Sequence, residues 1–444
     1  MAMTGLDIYK LLPKTNCKDC GFATCLAFAM ALAQKKVSLD KCPHVSAQAK
    51  AALESASQPP VKLVTIGAGS NKLEMGNETV MFRHEQKFFH PAGIGFLIED
   101  TLSGDDVTKK VAAINSLSFE RVGQTIAVDL ICLKNSSGNK DAFVNLAAKA
   151  AATTGLNLAL YGGNADNISA ALKACEDKRP LLIWDGTGSV EPFIVIAKEY
   201  KLPLAATCSN PEEAAKLTDQ AKAGGVDEVV INYRGDNIAG KIQDFTFTRR
   251  TALKKSARQL GYPLMAFTSA KDARAELAEA ISYVSKYASL VIIRNTDKEF
   301  VLPLLVVRQD IYSDPQKPVQ VESKIYEIGK VDKNSPVLIT TNFSITYFTV
   351  AGEVESSKVP SYIVCCDSEG MSVLTAWAAE KFTPEKIDET VRRFGVEKLV
   401  AHKRLVIPGY VSVMSGRLEE LTGWKIAVGP REASGIPSYL RNLK

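Results

Sequence analysis

From Val61 to about Asn295, short apolar runs rich in β-branched residues alternate with amphipathic stretches of helical period, the pattern of βα units around a parallel sheet. The runs that read as strands are Val61 to Ile66, Ala127 to Cys132, Leu156 to Tyr161, Leu181 to Trp184, Leu204 to Thr207, Val229 to Tyr233, Leu264 to Phe267 and Leu290 to Ile293. Helical stretches such as Asp141 to Thr153, Pro211 to Ala223 and Asp272 to Tyr287 fall between them. Eight βα repeats in roughly 230 residues predict a TIM-type barrel. The aromatic and histidine-bearing stretch from about Val80 to Phe96 reads as an inserted hairpin.

After the polar, proline-containing stretch Ser313 to Pro318 the alternation restarts. Val337 to Thr341, Tyr362 to Cys366, Lys398 to Ala401 and Lys425 to Val428 read as strands, and Ser372 to Lys381 and Pro384 to Phe394 as helices. The second helix carries its own punctuation: Thr383 as N-cap, Pro384 in the first turn and Gly395 just past the end. Four βα units are too few to close a barrel, so an open, doubly wound sheet is expected. At the other end, the Ala/Ser/Pro-rich run from Ala51 to Pro60 has linker composition. The fold class is therefore α/β in three parts: a small N-terminal segment (1–57), a TIM-type barrel (58–320) and a C-terminal α/β domain (321–444).

Composition narrows the function. The chain has 444 residues, 46% hydrophobic and 23% charged, enough to bury a large core. A net charge of +5 is too weak to imply nucleic acid. No leader-like segment and no apolar run of membrane-spanning length occur, so a cytoplasmic protein without membrane attachment is expected. Nine cysteines form no even disulfide framework, and four histidines are too few for a His-rich metal site.

The cysteines cluster. Cys17, Cys20, Cys25 and Cys42 are spaced C-x2-C-x4-C-x16-C, with Gly21 supplying the freedom a tight turn needs and a helical run from Leu26 to Gln34 bringing the chain round. Four thiolates suit tetrahedral zinc or a [4Fe-4S] cluster. A single C-x2-C knuckle, an x4 gap and an isolated Cys42-Pro43 lie closer to the cluster-binding runs than to paired zinc knuckles. Cys132, Cys208, Cys365 and Cys366 in strands and Cys175 in a helix read as buried small hydrophobes.

At Cys17-Lys18-Asp19-Cys20-Gly21-Phe22-Ala23-Thr24-Cys25, followed by Leu26-Ala27-Phe28-Ala29-Met30-Ala31, a barrel and a small α/β domain, the chain resembles the large (gamma) subunit family of the corrinoid/iron–sulfur proteins of the reductive acetyl-CoA pathway. The resemblance implies a methyl carrier, a component of a methyltransferase system rather than a free-standing catalyst. Its cobamide accepts a methyl group on Co(I) from methyltetrahydrofolate through a separate methyltransferase and delivers it to acetyl-CoA synthase. It also implies a heterodimer with a small subunit, a [4Fe-4S] cluster on Cys17, Cys20, Cys25 and Cys42, and a corrinoid on the C-terminal domain. The cluster would restore cobalt that has oxidised to Co(II).

Open α/β sheets bind ligands beyond the carboxyl ends of their strands. With the resemblance, Thr340, Thr346, Gly370, Met371, Ser372, Val373 and Ala433 are expected corrinoid contacts, since small side chains and free amides suit the edge of a broad macrocycle. The Asp-x-His-x-x-Gly motif of many corrinoid domains is absent, and the domain's only histidine, His402, lies beside Lys403 and Arg404 after the third predicted strand. A base-off cobamide without a protein nitrogen ligand is implied. The predicted barrel strand ends offer Asp185-Gly186, Cys208-Ser209-Asn210, Asn232-Tyr233 and Asn295, polar but without histidine or metal-ligand spacing, which suits a scaffold. The rival is a pterin-dependent methyltransferase barrel fused to its own carrier, with Asn232 or Asp185 holding the pterin. A zinc-bearing interaction module is a third reading.

Overall fold

A computed structural model describes residues 5–33, 37, 39–46, 49–50, 59–69, 71–235 and 237–443. Most of the linker expected at 51–60, the domain boundary expected at 57/58 and the tail of the helical run at Gln34 lie outside the described residues. Two compact units separate: Met1–Ser118 with Ala127–Tyr312, and Phe119–Ile126 with Ser313–Lys444.

In the first unit, eight parallel strands close a barrel: β3 (Gly93–Glu99), β6 (Leu130–Lys134), β7 (Asn157–Gly162), β8 (Leu181–Trp184), β9 (Leu204–Cys208), β10 (Val229–Tyr233), β11 (Leu264–Phe267) and β12 (Ala288–Ile293). The ring closes where β12 pairs with β3, Leu290 opposite Gly93. Successive side chains alternate in and out, so Leu97, Cys132, Ala159, Ile183, Ala205, Val230, Met265 and Ile292 share one interior core. The helices follow their sequence punctuation: Asn139, Asn210 and Asp272 each accept a backbone N–H in the first turn of the helix they cap.

Two expectations need correction. Val61 to Ile66 is no barrel strand: β1 (Val64–Ile66) pairs antiparallel with β2 (Leu73–Met75), and Val64, Ile66, Leu73 and Met75 join the barrel's interior core. The first barrel strand is instead β3, inside and beyond the stretch read as an inserted hairpin. The strand expected from Ala127 begins three residues later, because β4 (Ser118–Arg121) and β5 (Gln124–Ala127) form a hairpin of their own. Its turn residues, Val122 and Gly123, both have positive φ, as a tight two-residue hairpin requires.

In the second unit, β13 (Ile325–Ile328), β14 (Val337–Thr341), β15 (Ser361–Cys366), β16 (Arg404–Ile407) and β17 (Lys425–Val428) form one sheet in the order β13-β15-β14-β16-β17. The last four are parallel, and β13 is an antiparallel edge strand. The open, doubly wound sheet is therefore present, with β13 added. Its third parallel strand lies at 404–407 rather than 398–401, where Val396–Lys398 makes a single 3-10 turn. His402 thus precedes that strand. Thr383 does cap Pro384–Arg393, accepting from Lys386 N–H, and Gly395 has φ of 64°.

Candidate functional site

The N-terminal segment builds a small core from Ile8, Leu12, Cys25, Phe28, Ala29 and Cys42, with Cys20 packed against it. Cys25 opens the helix Cys25–Ala33, its N–H donating to Asn16 Oδ1 at 2.8 Å, while Thr24 Oγ1 accepts from Ala27 N–H. Three of the four expected thiols thus converge on one apolar core, and Cys17 lies exposed at its edge. The loop that carries them coils through positive φ at Lys14, Asn16, Lys18 and Gly21, with Gly21 N–H donating to Lys18 O at 2.9 Å. Beside Cys17, His44 Nε2 lies 2.6 Å from Asp19 Oδ2, and hydrogen bonds from His44 and Cys17 hold the Asp19 carboxyl below its ordinary value. Thiolate donors at an apolar core under a coiled loop fit an iron–sulfur cluster.

The other cysteines are inert packing, as their apolar runs implied. Burial pushes the Cys366 and Cys175 thiols up to about 12, and those of Cys132, Cys208 and Cys365 higher still. Cys175 sits just beyond the helix Ala165–Leu172 rather than inside it.

In the second unit, the connections after β14 and β16 leave the sheet on opposite faces. Leu338 and the helices Ser344–Ser357 and Ile436–Asn442 share one core, whereas Ile339, Ile407 and the helices Pro384–Arg393 and Ser415–Thr422 share the other. The reversal opens a crevice at the carboxyl ends of β14 and β16, the ordinary ligand position in such sheets. At that edge Thr340 Oγ1, Thr341 Oγ1 and Ser344 Oγ are buried and have no hydrogen-bond partner. A buried hydroxyl without a partner costs about 1–3 kcal/mol, so each of the three is a group that a water or a polar ligand would satisfy.

The strand exits also carry exposed apolar side chains. Ile345 opens the segment after β14 and is 64% exposed, Leu374 and Trp377 lie after β15, and Tyr410 and Val413, the latter 74% exposed, lie after β16. Large exposed apolar side chains on three adjacent strand exits suit a broad, flat ligand.

The expected corrinoid contacts fall on both sides of this edge. Thr340 ends β14, Thr346 is half-buried in the first turn of Ser344–Ser357, and Ala433 packs on the core beneath that helix. Gly370, Met371, Ser372 and Val373 form the exit of β15, and Met371 and Val373 pack on the opposite core. Gly370 has φ of +73°, and a Cβ there would lie 2.9 Å from Pro318 O, so no other residue fits. Thr341, Asn342 and Ser344 belong to the same strand end, whose hydroxyls and amides suit a ligand by sequence, but only Thr340 and Thr346 of that stretch are among the expected contacts. His402 is half-buried, its Nε2 3.0 Å from Ser335 O and its Nδ1 accepting from Arg404 N–H.

At the carboxyl mouth of the barrel, one alternation above the apolar core, Lys134 pairs with Glu99 at 3.3 Å and Tyr161 stacks on Phe267 at 4.8 Å. Burial pushes the Tyr161 hydroxyl up to about 12, far from a neutral-pH acid. Asp185 folds its own turn, accepting from the N–H and hydroxyl of Thr187. Asn232 Nδ2 donates to Thr207 Oγ1 at 2.9 Å, leaving its buried Oδ1 without a partner.

The family described as CO dehydrogenase/acetyl-CoA synthase delta subunit matches residues 63–440, and a family of Fe-S cluster segments matches residues 12–44. The corrinoid/iron-sulfur protein large subunit of Moorella thermoacetica is 46% identical over 441 residues, covering 99% of both chains. The acetyl-CoA decarbonylase/synthase complex subunit gamma of Methanothermobacter thermautotrophicus is 33% identical, covering 100% of this chain and 99% of its own, and that of Methanocaldococcus jannaschii is 31% identical, covering 99% and 96%. No helix among the described residues is long and apolar enough to cross a membrane.

Proposed function

Because this chain belongs to the family of corrinoid/iron–sulfur protein large subunits and acetyl-CoA decarbonylase/synthase gamma subunits, and so serves as a methyl carrier in the acetyl-CoA pathway, we propose that its corrinoid rests on the carboxyl edge of the C-terminal sheet. The observation that carries this placement is the trio of buried, unpartnered hydroxyls of Thr340, Thr341 and Ser344. They suit the amide and hydroxyl groups of a cobamide, and the apolar rim from Ile345 to Val413 suits the face of its ring. Thr346, Gly370, Met371, Ser372, Val373 and Ala433 would line the same edge.

When bound, the corrinoid supplies a nucleophilic cobalt that takes up and gives up a methyl group, and the cluster supplies a low-potential electron that restores oxidised cobalt. The protein's part is positioning and exclusion. The apolar rim keeps water from the ring, and no imidazole of this domain approaches it from the strand exits, since both nitrogens of His402 are engaged with backbone. A base-off cobamide without protein nitrogen is the form that fits. Cys17, Cys20, Cys25 and Cys42 would hold a [4Fe-4S] cluster, with Cys17 at the solvent edge. The chain would work with a small subunit, a methyltetrahydrofolate methyltransferase and acetyl-CoA synthase.

The test is metal analysis of the anaerobically purified complex with Thr340→Val and Ser344→Ala variants. Both should lose cobalt and keep iron. Full cobalt occupancy in both would place the corrinoid elsewhere.

One observation favours the fused-methyltransferase reading: the unpartnered Oδ1 of Asn232 at the barrel mouth. If the barrel itself held a pterin, Asn232→Ala or Asp185→Ala would cost on the order of 100-fold in methyl transfer with the methyltransferase supplied. A scaffold barrel leaves the rate within a few-fold of normal.

A further inference from the structure

We propose that Asn342 is the positioning residue that shapes the exit of β15 for the corrinoid, an inference that rests on the placement of the corrinoid argued above. The loop in question, Asp367 to Met371, carries two successive left-handed residues, Glu369 at φ of 56° and Gly370 at 73°. Such a conformation persists in a non-glycine residue only when its surroundings hold it there. On the outer side Glu369 pairs with Lys381 at 2.6 Å, an exposed ion pair of the kind that contributes little, and within the loop Asp367 Oδ1 accepts from Glu369 N–H at 3.1 Å and Met371 O from Ser368 Oγ at 3.1 Å.

The inner side is held by one amide. Asn342 is buried immediately after β14, and its Oδ1 accepts from Ser368 N–H at 2.9 Å, Ser368 Oγ at 2.9 Å and Gly370 N–H at 3.1 Å. Its Nδ2 donates to Gln320 Oε1 at 2.9 Å and toward Asp367 Oδ1 at 3.4 Å, and its own N–H donates to Cys366 O at 2.9 Å. A single side chain therefore ties the exits of two neighbouring strands together. The buried hydroxyls of Thr340, Thr341 and Ser344 have no protein partner, while Asn342 between them is saturated by protein. The unsatisfied groups await the ligand, and the satisfied one fixes the loop that meets it.

Replacing Asn342 by Ala strands the two buried backbone N–H groups of Ser368 and Gly370, while the Ser368 hydroxyl keeps Met371 O at 3.1 Å, so the loop must open to water. Exchanging the chemistry of the pair, Asn342→Asp with Asp367→Asn, keeps an oxygen acceptor at 342 and a donor facing it from 367. That exchange separates acceptor geometry from mere volume.

The test is uptake of cob(II)alamin by the full chain assembled with its small subunit and stripped of corrinoid, alongside circular dichroism and iron content. Asn342→Ala should bind at least about tenfold more weakly with its iron unchanged, and the Asn342→Asp/Asp367→Asn exchange should return to within about threefold of the unaltered protein. Ser368→Ala, which removes one of three donors, should fall between. Unchanged affinity in Asn342→Ala, or an exchange variant as weak as Asn342→Ala, overturns the proposal. Should Asn342→Ala fail to fold, unchanged affinity in Ser368→Ala overturns it. An unaltered chain that takes up no cobalamin would overturn the placement of the corrinoid, and this inference with it.

Discussion

A Cβ placed on Gly95 of β3 would lie 2.6 Å from Cδ1 of Ile292 on β12 and 2.8 Å from Cδ2 of Leu130 on β6. Gly93 on the same strand is hemmed in likewise by Leu73 of β2 and Leu290 of β12, and the barrel closes around these glycines because large neighbouring side chains fill the space. Gly95→Ala should therefore destabilise the chain by about 1–3 kcal/mol, as overpacking does. Denaturant unfolding would read this as a lower midpoint with an unchanged slope, and a variant as stable as the original would contradict it.

The same glycines explain which elements were legible. Seven barrel strands announce themselves by apolar β-branched runs, and the eighth hides in Pro91-Ala92-Gly93-Ile94-Gly95, whose residues ordinarily mark turns. Val64 and Ile66 misled for the opposite reason: they are apolar because they fill the barrel interior without joining its ladder. In the C-terminal sheet, Thr383, Pro384 and Gly395 fixed a helix to within a residue. The third parallel strand slipped because Arg404 and Lys403 gave its start a polar look. The grouping of the N-terminal cysteines, three of which pack in or against one core, was legible by spacing. Asn342 was not, because nothing in a lone strand-end amide tells that its partners lie at Gln320 and Ser368, on either side in sequence.

Cys25 is buried in the small N-terminal core with Phe28 and Cys42. Cys25→Ala should lose the iron–sulfur cluster while the C-terminal site keeps its corrinoid. Iron and cobalt analysis decides this, and equal loss of both metals would contradict it.

Burial raises Cys366 and Cys175 to about 12 and the thiols of Cys132, Cys208 and Cys365 higher, so none of these five forms thiolate near neutral pH. Under native conditions at about pH 8, alkylation after removal of the cluster should modify Cys17, Cys20, Cys25 and Cys42 and spare the rest. Mass mapping of labelled peptides checks this. Rapid labelling of Cys365 or Cys366 in the folded protein would count against the packing described.

His402 holds Ser335 O and Arg404 N–H with its two ring nitrogens. His402→Ala should leave the electron paramagnetic resonance spectrum of the cob(II)amide state unchanged, without axial nitrogen splitting in either protein. A three-line splitting that vanishes in the variant would make His402 a cobalt ligand.

The claim that this chain carries the methyl group is tested most directly by a single-turnover count. The anaerobic, reduced complex is given labelled methyltetrahydrofolate and the methyltransferase, re-isolated from small molecules, and then offered to acetyl-CoA synthase with CO and coenzyme A. About one labelled methyl group per cobalt should travel with the protein and appear in acetyl-CoA. Label that stays with the folate, or a re-isolated protein that holds iron but neither cobalt nor methyl, would contradict the account.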